Sequence, residues 1–311
     1  METASEPVVI EAFPERHRNT IILLHGRGSS GSEFASDLLD VTGVAKRLPS
    51  WRWVFPTAST EWISQFQESM PSWFDIRSLS DVEYESDTQL PGLRKHVQQL
   101  VALVLGETEL LGGHAERLVI GGISQGEATA LWALLHLPGL LPGLGGLVCT
   151  SGWLPFTTRF EQTLGNVNLT RTITGDELSL RLAQAVRQVQ ELTGIPQEKK
   201  ASQEVLQAFT HVPVFLAHGL DDAVVDVELG RRVHTILQRM FSSVKWSEYQ
   251  GAERDGHWIK EPEGLDDIVQ FLQSTSTSHE EVADPHPYFN FHAHCTVPSF
   301  STSLSLKALL A

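Results

Sequence analysis

The sequence is poor in cysteine, in positive charge and in uninterrupted apolar runs. Its two cysteines, Cys149 and Cys295, lie in an apolar stretch and in a low-complexity tail, so no disulfide framework is expected and a reducing compartment suits them. Lys and Arg number 23 against 38 Asp and Glu, a net charge of −15, which argues against a nucleic-acid surface. Residues Met1-Glu2-Thr3-Ala4-Ser5-Glu6-Pro7 carry neither the basic nor the apolar stretch of a secretory signal. Glu2 stands where myristoylation needs glycine, and the last residues carry no prenylation cysteine. Ala130 to Cys149 is apolar, but Pro138, Pro142 and four glycines interrupt it. It reads as a helix end, a loop and a buried strand rather than a membrane span. These absences lead to the expectation of a cytoplasmic protein with at most transient contact with a membrane surface. The sequon Asn168-Leu169-Thr170 is then idle.

What is present is a chain of 311 residues, 41% hydrophobic and 20% charged, long enough to bury a large core. Short apolar strands recur: Ile21 to Leu24, Trp51 to Pro56, Leu118 to Ile123, Gly146 to Thr150, His211 to Ala217 and Val244 to Tyr249. Between them lie helical patterns at Glu33 to Leu48, Leu90 to Leu105, Ala128 to Leu135, Glu228 to Phe241 and Gly264 to Leu272. This alternation predicts an α/β protein with a mainly parallel sheet covered on both faces. Thr57 to Met70 is expected to be a loop. Phe156 to Thr210 is more polar, with a helical stretch at Glu177 to Leu192, and reads as an insertion of one or two helices. From Gln273 the composition turns to Ser, Thr, Pro and acidic residues, as in a mobile tail.

The most informative stretch is Leu118-Val119-Ile120-Gly121-Gly122-Ile123-Ser124-Gln125-Gly126-Glu127-Ala128. Gly122-Ile123-Ser124-Gln125-Gly126 is Gly-x-Ser-x-Gly, a strand-to-helix turn that presents a serine hydroxyl at the top of a sheet. The other reading is an ordinary capping serine. The backbone N–H of Gln125 would open the helix, where an oxyanion can be held. Upstream, His25-Gly26-Arg27-Gly28 follows a strand, and the Arg27 N–H is the expected second oxyanion donor. That glycine-rich turn lacks the Lys-Ser/Thr of a phosphate-binding loop. A serine hydroxyl needs a base, and the base needs an orienting carboxylate. In sheet hydrolases the chain order is Ser, Asp or Glu, His, and Ser124, Asp222 and His257 supply it. Asp221 competes with Asp222, since spacing does not separate adjacent aspartates. Among 13 histidines, His25 and His218 also sit at strand ends and are expected to bond backbone. His286, His292, His294 and Cys295 fit no standard metal-ligand spacing, so no metal and no organic cofactor are expected.

Six motifs, taken together and in order, give the chain a family likeness. They are Leu24-His25-Gly26-x-Gly28, Pro71-Ser72-Trp73-Phe74-Asp75-Ile76, Gly121-Gly122-x-Ser124-Gln125-Gly126, Ser151-Gly152-Trp153-Leu154-Pro155, His218-Gly219-x-x-Asp222-x-x-Val225 and Gly256-His257. Over residues 18 to 155 and 211 to 273 the sequence resembles the acyl-protein thioesterases, the carboxylesterase/phospholipase-like group of α/β-hydrolases. The resemblance implies one α/β-hydrolase domain over residues 1–273, with a helical insertion at about 156–210 and a tail at 274–311. It implies cleavage of acyl thioesters on lipidated proteins, of lysophospholipids and of simple esters. It favours Asp222 over Asp221 as the acid. Trp73, Phe74, Trp153 and Leu154 are the substrate-pocket candidates.

Two departures stand out. Glu127 replaces a second glycine after the turn, and is expected to bring negative charge near the oxyanion and to narrow substrate choice. The gap of 98 residues from Ser124 to Asp222 is longer than the family's by some tens of residues, and the surplus is 156–210. It either covers the acyl groove or is a surface insertion. Two further readings stay open: a small-metabolite esterase or acyltransferase, and a non-catalytic hydrolase fold that binds a partner. Oligomeric state is not legible.

Overall fold

The structure is a computed structural model that describes residues 6–165, 173–195 and 200–277. The sequon at Asn168 and the tail residues His286, His292, His294 and Cys295 lie outside the described residues. Seven strands form one sheet: β1 (Val8–Ile10), β2 (Asn19–Leu24), β3 (Trp51–Phe55), β6 (Leu118–Ile123), β7 (Gly146–Thr150), β8 (Val214–Gly219) and β9 (Val244–Tyr249). Their order is β1-β3-β2-β6-β7-β8-β9, with β1 antiparallel and every other pairing parallel. A short antiparallel hairpin, β4 (Thr60–Ile63) and β5 (Glu68–Pro71), stands apart from the sheet. This hairpin and β1 were not expected. The hairpin segments are short and carry glutamates and a proline, so no apolar alternation announces them.

The strands are covered on both faces, as their continuous apolar runs require. Ile22, Leu24 and Ile120 pack with α2 (Leu90–Leu110) and α3 (Gln125–Leu134). Ile21, Leu23 and Val119 face the other way, towards α1 (Gly31–Ala35) and α8 (Glu263–Thr277). The helix expected at Glu33 to Leu48 is three short turns, because Gly43 takes the left-handed φ of 66° and resets the chain. The 156–210 segment holds α4 (Thr157–Leu164), α5 (Gly175–Thr193) and α6 (Gln203–Phe209). Thr174 caps α5 through reciprocal bonds with Glu177. Arg232 of α7 (Val227–Leu237) holds Glu161 of α4 through a two-nitrogen pair at 3.0 Å. The last helix runs to Thr277, beyond the end expected at Leu272. There Ser274, Thr275 and Ser276 turn their hydroxyls back onto helix carbonyls, which lets a Ser/Thr-rich stretch remain helical.

The chain crosses from β3 on one side of β2 to β6 on its other side. The carboxyl ends of β2 and β6 therefore flank the switch in strand order, where open α/β sheets bind ligands. Close backbone approach sets this region. A Cβ on Gly121 would lie 1.8 Å from the Val148 carbonyl oxygen on β7. Gly121→Ala is therefore expected to destabilise the chain by about 1–3 kcal/mol or more, read as a lowered urea midpoint. An unchanged midpoint would show that β6 and β7 do not pack as described.

Candidate active site

Ser124 stands between β6 and α3 with φ 57° and ψ −124°, a conformation that L side chains rarely adopt. It occupies the capping position of α3, yet its side chain makes no capping bond. The ordinary capping reading is thereby excluded. The turn closes only because its neighbours lack side chains. A Cβ on Gly122 would sit 2.7 Å from the Leu24 carbonyl oxygen, and one on Gly126 would sit 2.3 Å from that oxygen. The Ser124 N–H donates to the Thr150 carbonyl at 3.0 Å, tying the turn to the end of β7.

The Gln125 side chain ties the start of α3 to the segment after β5. Its oxygen accepts from the Ser72 hydroxyl at 2.8 Å and from the Trp73 N–H at 2.9 Å. Its nitrogen donates to the Phe74 carbonyl at 2.6 Å. Trp73 in turn donates its ring N–H to the His25 carbonyl at 2.8 Å. His25 bonds the Gly26 carbonyl through Nδ1 and accepts from the Ala58 N–H at Nε2. Burial pushes the His25 pKa down to about 4, so the ring is neutral and serves as a fixed donor and acceptor. Gly28 donates to Pro71 and Ser29 to Gly26. The Arg27 N–H between them has no partner among the described residues. The Gln125 N–H opens α3 and has no intrahelical partner by geometry.

Asp222 and His257 meet across the loops after β8 and β9. Asp222 Oδ2 lies 2.7 Å from His257 Nδ1, and Oδ1 accepts the Val224 and Val225 N–H groups at 2.9 Å each. His218 Nε2 bonds the Val225 carbonyl at 2.9 Å and lies 3.4 Å from Asp222 Oδ2. Burial by itself would raise the Asp222 pKa. The bonds from His218, His257 and Val225 overcome it and hold the carboxyl well below the usual range. Asp221 faces elsewhere, accepting the Gly251 N–H at 3.0 Å. The two aspartates that spacing left open are thus separated by geometry. Before His257 the chain takes three left-handed residues, Arg254, Asp255 and Gly256. A Cβ on Gly256 would lie 2.6 Å from the Asp221 carbonyl oxygen, so this coil packs directly on the Asp221–Asp222 backbone.

Ser124 and His257 line one cavity of about 220 Å³, together with Gly26, Arg27, Gln125 and Trp153. Phe34, Leu79, Val224 and Trp258 complete its apolar wall. Of the four pocket candidates only Trp153 lines it. Trp73 and Phe74 are buried in the core, where they brace the Gln125 bridge, and Leu154 is fully buried beside them. Sequence alone does not reveal which face of a loop turns inward, and only the adjacency of Trp258 to His257 could have signalled a wall residue. No described residue of 156–210 lines the cavity, so the insertion does not cover it there. No three described His, Cys, Asp or Glu side chains are clustered as metal ligands would be, and no described helix is long and apolar enough to cross a membrane.

Glu127 does not place charge at the cavity. Its side chain is buried against Gly152, whose Cβ would lie 2.7 Å from the carboxyl, and it accepts the Gly152 N–H. Burial raises its pKa well above the ordinary 4.5, which favours the protonated carboxyl. Buried Cys149 nearby is pushed up as well, by burial first and by Glu127 second. A raised folded-state pKa means that the folded chain binds more protons than the unfolded chain above pH 4.5. Stability from this group is therefore full below that pH and falls as pH rises, by up to about 1.4 kcal/mol per pH unit. Glu127→Gln is expected to gain on the wild type between about pH 5 and 7 in urea titrations. A constant difference between the two proteins across that range would refute a neutral Glu127.

Comparison with known proteins agrees with this architecture. The phospholipase/carboxylesterase family matches residues 5–176. The acyl-protein thioesterase 1 of Yarrowia lipolytica is 30% identical over 262 residues, 83% of this chain and 92% of its own. That of Debaryomyces hansenii is 26% identical over 271 residues, 85% of this chain and 94% of its own. Among solved structures, Zea mays acyl-protein thioesterase 2 superposes with a TM-score of 0.56 at 25% identity, covering 87% of this chain and 98% of that one. The fold, the motifs and these relatives converge: the chain is a hydrolase of the phospholipase/carboxylesterase family, an α/β-hydrolase akin to the acyl-protein thioesterases.

Proposed function

We propose that this hydrolase cleaves acyl thioesters and carboxylic esters through an acyl-enzyme on Ser124. The observation that carries the reading is a positive-φ serine with an uncapped hydroxyl in the same cavity as a histidine bonded at 2.7 Å to a buried carboxylate. His257 takes the Ser124 proton as Oγ bonds to the acyl carbon. The Arg27 and Gln125 N–H groups bind the resulting oxyanion. His257 then protonates the departing thiol or alcohol. In the second half, His257 deprotonates water, which displaces the acyl group from Ser124. Asp222 stays ionised and holds the imidazole in the tautomer that presents Nε2 to Ser124. Acylated proteins and lysophospholipids are the first substrate class, as the names of the relatives suggest.

One feature favours a smaller acyl group. The cavity of about 220 Å³ is below the ~300–1,000 Å³ of sites that enclose a drug-sized ligand. A short or medium acyl chain suits a cavity of this volume better than a palmitoyl chain. This is the small-ester reading, with the same chemistry.

Ser124→Ala is expected to lower kcat on the order of 10⁶-fold, and Asp222→Asn about 10⁴-fold. The assay is hydrolysis of a palmitoyl-thioester peptide beside p-nitrophenyl esters of graded chain length. Turnover of the peptide by wild type alone supports the thioesterase reading. Turnover confined to short esters moves the proposal to small substrates, and turnover that survives Ser124→Ala refutes the nucleophile.

A further inference from the structure

Cationic side chains outnumber carboxylates in the cavity lining. The lining holds two arginines, Arg27 and Arg254, and a single carboxylate, Asp37. Asp37 is already taken, since Arg254 bonds it at 2.6 Å while stacking on the Trp258 ring at 4.0 Å. Arg27 stacks on Phe66 with its guanidinium carbon 4.4 Å from the ring centroid, and among the described residues its one polar side-chain bond is to Gln65 at 3.3 Å. Among the described residues no carboxylate lies within ion-pair distance of Arg27. Burial weakens its hold on its proton with no anion to offset the effect. Partly burying a cation without a counter-ion is unfavourable unless a ligand supplies one.

We propose that Arg27 forms an anion subsite, so that the preferred substrate carries a carboxylate or phosphate group near its scissile ester. This rests on the proposed hydrolase chemistry at Ser124 and names the substrate class for it. The planar guanidinium, held by the Phe66 face and by Gln65, presents its remaining N–H donors to an oxyanionic group, the geometry in which arginine exceeds lysine. Two sources share that chemistry: an acid on the acyl chain, or a phosphate on the leaving group. In the proposed reaction the main-chain N–H of Arg27 binds the carbonyl oxygen, so one residue would bind both the reacting atom and the charge beside it.

Matched esters test this. Mono-4-nitrophenyl suberate is compared with 4-nitrophenyl octanoate, and 1-octanoylglycerol 3-phosphate with 1-octanoylglycerol, in wild type, Arg27→Met and Arg27→Lys. The readout is the ratio of kcat/KM for the anionic member to that for the neutral member, because the Arg27 backbone also serves the reaction. Wild type is expected to favour the anionic member of one pair, which identifies the source. Arg27→Met should lower that ratio roughly 10-fold or more, and Arg27→Lys should restore part of it. The preference should weaken with added salt. If wild type turns over both members alike through Ser124, or if Arg27→Met leaves the ratio unchanged, the subsite is refuted while the hydrolase reading stands. If no ester is turned over, the hydrolase reading fails, and calorimetric binding of suberate and glycerol 3-phosphate decides the subsite by itself. Binding lost in Arg27→Met supports it, and binding that is absent or indifferent to Arg27 overturns it.

Discussion

The site depends on one steric constraint, the passage of the Gly122–Gly126 main chain against the carbonyls of Leu24 and His25. At 2.3 Å and 2.7 Å from where side chains would begin, these positions admit nothing but glycine. The approach forces Ser124 into a positive φ, and that conformation frees its hydroxyl from the capping role it would otherwise take. It also brings the loop after β2 beside the first turn of α3. The two N–H groups proposed for the oxyanion thus belong to neighbouring main-chain segments, whose spacing is set by backbone contact rather than by rotamers. Gln125 locks that spacing by bonding Ser72, Trp73 and Phe74 with both ends of its amide. Removing any of these bonds would leave buried polar groups unpaired, so the network is held as a unit.

Electrostatics follow from burial in a consistent way. The histidines beneath the site, His25 and His96, are pushed toward neutrality by burial and act as hydrogen-bond struts. Glu127 is likewise pushed toward neutrality, for want of a cation. Asp222 has side-chain exposure as low as any of these and is the exception, because two histidines and two N–H groups face it. One anion is therefore maintained in the interior of the site, behind His257. Burial shifts three other titratable groups, His25, His96 and Glu127, toward their neutral forms.

Much of this architecture was legible in sequence because it is governed by local steric rules. Gly-x-Ser-x-Gly reports a backbone conformation, and glycine pairs cannot be replaced where main chains touch. The parallel sheet was legible from its apolar strands alternating with helical patterns. Three kinds of feature were not. The β4–β5 hairpin lacks an apolar face of its own, so its pattern is invisible. Trp73 and Phe74 share the composition of pocket residues, but their orientation is decided by Gln125, 52 and 51 residues away. In sequence Glu127 reads as a negative charge near the oxyanion, and only the partner surface at Gly152 reveals its burial.

The 156–210 segment shows how length and function come apart. An insertion that long would be expected to reshape the site, since it lies between the serine and the acid in the chain. Its described helices instead pack laterally: α4 onto α7 through Arg232 and Glu161, and α5 beside α2 through Arg94 and the Thr193 carbonyl. The cavity wall is left to short loops at the strand ends, which supply Leu79, Trp153, Val224 and Trp258. Substrate choice is therefore a matter of few side chains on a rigid edge. In that setting a single charge-assisted bond, contributing about 1.5–3 kcal/mol, weighs about as much as two to four buried methylenes at about 0.8 kcal/mol each.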